Sequence, residues 1–263
     1  MCRLLGWVSR EPATARQVLG DESLAGFVRL ARYHADGWGA ALDGPDGPAV
    51  EKSLLSGDTD PAFSAVLTGR PTCTGVVHTR WATPGLPIEL RNTHPFTYGG
   101  NVFMHNGAIY PVDQLDSVLT EPWSSRLQGT TDSEKYFLAI MAELEHTGTD
   151  LPAAITRVVS RLTRDYRPSS LNALLETPSA LYAISDHDPD AATGSPHSPA
   201  ERNASVDHAT HFNLYHQITD DAVVVTSSGF VPTSADGWEL LPNHTVLAID
   251  KATLSTQLVA LSR

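Results

Sequence analysis

The chain has 263 residues, 41% of them hydrophobic and 18% charged, with a formal net charge of −12. This length allows one large domain or two small ones around a substantial core, and the acidic balance argues against a nucleic-acid surface, which needs clustered Lys and Arg. No apolar run approaches the roughly 18–20 residues of a membrane span, and the apolar stretch at 4–8 is too short for a signal peptide, so a soluble cytoplasmic protein is the default expectation.

In chain order, residues 2–8 are apolar and β-compatible. Segment 22–34 places Leu24, Phe27, Val28, Leu30 and Ala31 near helical spacing. Residues 37–42 and 49–53 form a hairpin pattern around Gly44-Pro45-Asp46-Gly47. A short helix is predicted at 60–67, a strand at 72–81, and another at 101–104 that runs into Asn106-Gly107. Two helices follow at 132–146 and 151–165, with Thr131 and Glu134 spaced as a capping box before the first. Strand patterns return at 171–176, 180–185, 211–216, 222–227, 245–250 and 254–260. Strands, two helices and strands again predict an α+β domain with largely antiparallel sheets. Residues 186–208 are polar and rich in Asp, Pro, Ser and His, an exposed loop.

Only two cysteines occur, Cys2 and Cys73, far apart and without a disulfide pattern. Cys73 lies in a strand-like run and reads as a small buried hydrophobe. Cys2 directly follows Met1. Removal of Met1 would leave a thiol and a free α-amine on one residue, a nucleophile with its own general base. A reference thiol titrates near ~8.5 and an α-amine near ~7.7–8.0, so the amine can accept the thiol proton near neutrality.

Four further segments stand out: His34-Ala35-Asp36-Gly37-Trp38-Gly39, His78-Thr79-Arg80-Trp81-Ala82-Thr83, His105-Asn106-Gly107 and Thr131-Asp132-Ser133-Glu134. Each alone is ordinary: Asn-Gly is a common turn, and an Asp at a helix start is a common cap. Their order and combination after Cys2 resemble class II glutamine amidotransferase domains, the N-terminal-cysteine branch of the Ntn-hydrolase fold. The family pattern is an initial Cys, then H-x-R-[WY]-A-T, H-N-G and T-D-[ST]-E. The His34–Gly39 segment is similar to stand-alone members, including the γ-glutamyl amidohydrolases of ergothioneine synthesis.

The resemblance implies a single domain over 2–263 folded as a four-layer αββα sandwich of two antiparallel sheets. It implies hydrolysis of a γ-glutamyl amide, glutamine or a small γ-glutamyl molecule, through a thioester on Cys2. Asn106 and Gly107 would form the oxyanion hole. Arg80 would grip the substrate carboxylate with its planar fork, and Asp132 would pair with the substrate ammonium. Trp81 and Thr83 would shape the same pocket. Asp36 and Gly37 would build its wall or pack as a strand start beneath it. His78, His94 and His105 read as supports. No cofactor or resident metal is called for, and the loose grouping of His208, His211 and His216 lacks zinc-ligand spacing. The alternatives are a glutaminase subunit serving a separate synthase, or a catalytically silent glutamine-binding module. Stand-alone relatives carry an Ala-Ser-Glu-Pro-like segment on a late strand. Here that region is Val225-Thr226-Ser227-Ser228-Gly229-Phe230, without Glu-Pro, so the leaving group stays unassigned.

Overall fold

The first strand, β1 (Arg3–Ala13), shows how the layers arise. Its side chains alternate between two apolar environments: Leu4 and Val8 join one buried cluster, Leu5 and Trp7 another. A strand buried on both faces must lie between two layers, and here these are a second sheet and a set of helices. The structure, a computed structural model, describes residues 2–83, 85–190, 210–230 and 237–262.

After β1 come α1 (Ala15–Leu19), α2 (Asp21–Ala31), β2 (Trp38–Leu42), β3 (Ala49–Ser53), α3 (Pro61–Gly69) and β4 (Thr72–Thr79). Next are β5 (Phe96–Tyr98), β6 (Asn101–Asn106), β7 (Ile109–Tyr110), α4 (Asp132–Thr147), α5 (Leu151–Asp165) and β8 (Arg167–Pro168). The chain ends with β9 (Asn172–Glu176), β10 (Ala180–Ser185), β11 (Leu214–Ile218), β12 (Ala222–Ser227), β13 (Trp238–Leu240), β14 (Thr245–Asp250) and β15 (Thr256–Ala260). Among the described residues, one large sheet has the order β13-β11-β12-β1-β4-β2-β3 and a second β15-β14-β10-β9-β6-β5, while β7 and β8 form a separate two-stranded pair; all paired strands are antiparallel.

Helices α1 to α3 cover the outer face of the first sheet through Leu19, Phe27, Phe63 and Leu67, packed with Leu5, Trp7 and Trp38. The outer face of the second sheet lies under α4 and α5, where Phe137, Ile140, Ile155 and Val159 meet Phe103, Leu175 and Ile184. Between the sheets sit Leu4, Val8, Val76, Met104, Leu174, Leu181, Val225 and Leu247. The architecture is the expected αββα sandwich.

Several local expectations change. The first strand runs beyond residue 8 to Ala13. Helix α1 went unread in the sequence; Thr14 and Gln17 form its capping box. Before α4 the predicted box is half made. Thr131 accepts from the Glu134 N–H, but the Glu134 carboxylate turns back to the Gln128 and Gly129 amides at 2.9 and 2.8 Å. Strand β4 stops at Thr79, leaving Arg80 and Trp81 outside the ladder. Strand β11 begins at Leu214, because side chains take up the carbonyls of 211 and 212: Ser228 Oγ donates to the His211 carbonyl and Asn172 Nδ2 to the Phe212 carbonyl, while the Ser228 backbone N–H donates to the Asn213 carbonyl. Cys73 is half-buried, not buried. Of the polar loop predicted at 186–208, residues 191–208 lie outside the described residues.

Candidate active site

Antiparallel pairing brings the ends of distant strands to one rim of the sandwich. The start of β1 lies beside the end of β4, with Arg3 opposite Thr79, and Thr79 also pairs with Trp38 at the start of β2. In the other sheet, Asn106 at the end of β6 faces Asn172 at the start of β9. His78 reaches across from β4, its Nε2 3.3 Å from the His105 carbonyl on β6. Cys2, Arg80, Asn106 and Gly107 therefore share a rim, although they are far apart in the chain.

Cys2 is 6% exposed. Its Sγ lies between the backbone groups of Trp81, accepting from the N–H at 3.4 Å and facing the carbonyl at 3.6 Å. Burial raises the thiol pKa; the positive chain terminus, the Trp81 N–H and Arg80 act in the opposite direction, and Asp132 adds to the rise. The dominant effect is desolvation, so the buried thiol needs a base to form thiolate.

Arg80 is 3% exposed. One guanidinium nitrogen, Nη2, donates to the Pro87 carbonyl at 3.3 Å, while Nη1 is buried with no partner among the described residues. Burial lowers its pKa, with Cys2 and Asp36 opposing. Among the described residues no carboxylate makes an ion pair with it. A buried guanidinium with an unused N–H is a receptor for an anion.

Asn106 is fully buried, and both its Nδ2 and Oδ1 lack partners. An orphaned buried carboxamide costs ~1–3 kcal/mol per unsatisfied group, so its retention on a core strand needs a reason outside the fold. The following residue must be glycine: a Cβ at Gly107 would lie 2.0 Å from the Ser170 carbonyl oxygen and 2.7 Å from His105 Nε2. The backbone after Asn106 is thereby pressed against 169–170, and the Ala108 N–H is held by Ser169 Oγ at 3.1 Å.

Asp132 opens α4, is 2% exposed, and accepts the Ile109 N–H at 2.9 Å, so it braces the loop that follows Gly107. Its charge is felt at Cys2 and His105. Asp36 is half-buried, and its Oδ2 accepts the Ala82 N–H at 2.8 Å. Asp36 and Gly37 also bond to the Arg80 backbone on both sides, at 3.1 and 2.8 Å. They act as a clamp on segment 80–82. Gly37 has φ 114°, and a Cβ there would meet the Ser53 carbonyl at 2.5 Å. Trp81 packs edge-on to His34, with ring centroids 5.7 Å apart. Thr83 is half-buried and accepts the Leu86 N–H through its carbonyl; the hydrogen bonds of Cys2 among the described residues run to Trp81 and Arg3 instead.

The three histidines are supports. His105 Nε2 faces the Ser170 carbonyl at 2.9 Å, so that nitrogen carries the proton and Nδ1 can accept from Ser133 Oγ at 2.9 Å. Burial pushes His78 down to about 3 and lowers His105 and His94 as well. His78 and His94 stack at 4.1 Å between centroids, an arrangement open to neutral rings. His211 and His216 are not brought together: His211 meets Arg3, and His216 lies 3.9 Å from Glu239. His208 lies outside the described residues. Among the described residues no three His, Cys, Asp or Glu side chains form a metal-holding group, and no helix is long and apolar enough to cross a membrane.

One residue at the rim escaped the sequence reading. Arg3 is 2% exposed and donates through Nη1 to the Cys2 carbonyl at 3.1 Å. Its signal was present as a lone charge inside an apolar strand.

Comparison with known proteins bears on the family and the fold. A family model described as class-II glutamine amidotransferases matches residues 1–260. The glutamine–fructose-6-phosphate aminotransferase of Caulobacter vibrioides is 37% identical over 136 residues, 51% of this chain and 21% of that protein. A probable glutamine amidotransferase of Saccharomyces cerevisiae, DUG3, is 29% identical over 170 residues, 57% of this chain and 47% of that protein. These matches thus span between a fifth and a half of the curated relatives' length. A glutamine aminotransferase class-II domain protein from Silicibacter pomeroyi shares the fold over 100% of both chains, with a TM-score of 0.63 at 19% identity. With its matched length, its two antiparallel sheets and its rim of Cys2, Arg80 and Asn106, the chain belongs to the class II glutamine amidotransferase family.

Proposed function

We propose that the protein hydrolyses the γ-amide bond of glutamine or of a small γ-glutamyl compound through a covalent intermediate on Cys2. Met1 is removed first, since an acylated nitrogen cannot act as base. The freed α-amine takes the Cys2 thiol proton, and the thiolate adds to the amide carbon. The negative oxygen that forms is met by Asn106 Nδ2 and the Gly107 N–H. The C–N bond breaks as the α-ammonium returns its proton to the departing amine, leaving a thioester. Water then adds with the amine as base, and glutamate leaves as the thiol re-forms. Arg80 binds the substrate α-carboxylate through its unused Nη1, and Asp132 attracts the α-ammonium. Trp81 holds the sulfur, while Asp36 and Gly37 fix the Arg80 segment.

The observation that supports this reading best is the set of buried polar atoms without partners on the rim that carries Cys2: Arg80 Nη1 and both ends of the Asn106 carboxamide. Two of these atoms, Arg80 Nη1 and Asn106 Nδ2, are donors that suit the carboxylate and the developing oxyanion of a γ-glutamyl substrate. The test is glutamate release from a panel of γ-glutamyl amides that includes glutamine. Release from at least one member, abolished in a folded Cys2→Ala variant, is expected. Equal release by that variant, or none from any member by the processed protein, overturns the proposal.

A further inference from the structure

Arg3 is buried beside the nucleophile, yet among the described residues no carboxylate makes an ion pair with it. Its Nη1 donates to the Cys2 carbonyl at 3.1 Å and reaches the His211 carbonyl at 3.5 Å. Its Nη2 lies 3.1 Å from His211 Nδ1 and its Nη1 3.4 Å from Nε2 of the same ring; a guanidinium only donates, so the ring nitrogen it bonds is an unprotonated one, and the shorter contact is to Nδ1. Nε has no partner. The turn that Arg3 grips is itself tied to both sheets, by Ser228 Oγ to the His211 carbonyl and by Asn172 Nδ2 to the Phe212 carbonyl. Arg3 thus fixes the Cys2 peptide against a turn braced by the whole rim.

Holding a peptide carbonyl needs no charge; a neutral donor would serve. A permanent cation in a dry site, with no acid paired to it among the described residues, instead acts on what lies nearby. Covalent geometry puts the Cys2 nitrogen within about 7 Å of Nη1. We propose that Arg3 is a positioning residue that also acts electrostatically. It anchors the Cys2 carbonyl and, by charge repulsion, keeps the α-amine of the processed chain in its free-base form. This rests on the proposed role of that amine as general base.

The other charged or titratable groups around this point are the Cys2 thiol itself, Asp36 before β2, Arg80 beyond β4, His78 on β4, His34 beyond α2, His105 on β6, His211 before β11 and Asp132 at the start of α4. Burial lowers the pKa of His34, His78 and His105, and the Arg3 charge itself contributes to the lowering at His34. The fixed charges are then two guanidiniums, Arg3 and Arg80, against two carboxylates, Asp36 and Asp132; Asp36 acts on Arg80, whereas Arg3 is bonded to the Cys2 residue itself, and a cation held there disfavours an ammonium.

The test follows the Cys2 α-amine by NMR in processed protein carrying 15N-cysteine, together with the acid limb of glutamate release. In the parent, the amine should titrate below the ~7.7–8.0 of a free α-amine. Folded Arg3→Gln should move that titration and the acid limb upward by one pH unit or more, about tenfold in rate below the limb. Arg3→Lys, which keeps the charge, should recover most of the shift. Coincident titrations in parent and Arg3→Gln, or identical behaviour of Gln and Lys, overturn the inference. Should Arg3→Gln fail to fold, a parent amine titrating at or above ~8 overturns it alone. Labelling of Cys2 by a diazoketone analogue of glutamine separates the two ideas: no labelling defeats the nucleophile assignment, whereas labelling with an unmoved titration defeats only the role of Arg3.

Discussion

Replacing Asn106 by Ala should separate catalysis from stability. In the folded protein the Asn106 carboxamide makes no hydrogen bond to any described residue at either end. Two desolvated groups at ~1–3 kcal/mol each form a standing cost that the substitution removes. Against this stands the packing lost with three heavy atoms, on the order of 1–2 kcal/mol in a core that relaxes partly. The balance predicts a melting temperature equal to or above that of the parent. Catalysis should behave in the opposite way. An oxyanion donor contributes about 2.7–4 kcal/mol to the transition state, so kcat should fall 10²–10³-fold. Thermal unfolding and glutamate release, measured on one preparation, supply both numbers. A parent-like kcat, or a loss of more than about 2 kcal/mol in stability, would show that Asn106 serves the fold.

Arg80→Lys should raise KM with little change in kcat. A lysine cannot reproduce the fork, and a charged hydrogen bond of ~1.5–3 kcal/mol corresponds to a ten- to hundredfold lower kcat/KM; an unchanged kcat/KM contradicts the carboxylate role. Gly107→Ala must move backbone, since its Cβ would sit 2.0 Å from the Ser170 oxygen; both melting temperature and kcat should drop, and a variant matching the parent in both would refute the tight fit. At the opposite rim, Lys251 joins Asp43 of one sheet to Glu176 of the other at 3.0 and 2.8 Å. Burial, opposed by Lys251, raises Glu176 to about 7 from an ordinary 4.5. The folded form therefore holds this proton more tightly than the unfolded one, and the associated stability is complete below about 4.5 and lost as pH rises through about 7. At 1.36 kcal/mol per unit this is about 3 kcal/mol. Glu176→Gln should flatten the unfolding free energy over that window, and parallel profiles for the two proteins would rule the linkage out.

Much of this arrangement was legible before the structure. Helices α4 and α5 follow from periodicity, and the β2–β3 hairpin from its Gly-Pro-Asp-Gly turn. The family motifs named Cys2, Arg80, Asn106, Gly107 and Asp132 as one constellation, and the antiparallel registers gather the ends of β1, β4 and β6 at one rim. Other features depend on contacts that no local pattern encodes. Strand β5 has only three residues, and its pairing with β6 defines it. Helix α4 buries polar Asp132, Ser133, Glu134 and Lys135 along with its apolar face. Composition assigns them to solvent, whereas His105 engages Ser133, the Gln128 and Gly129 amides engage Glu134, and Asp116 pairs with Lys135 at 2.6 Å. Residues 211–213 have strand-like composition, yet bonds from Asn172 and Ser228 hold them as a turn. Arg3 looks like a surface charge until β1 is placed at the centre of its sheet.

The most direct measurement is the intact mass of the purified protein before and after exposure to a diazoketone analogue of glutamine, with peptide mapping of the adduct. The account predicts a chain lacking Met1 that gains one equivalent of label on the Cys2 sulfur. A functional protein that retains Met1, or that is labelled elsewhere while Cys2 stays free, would contradict it.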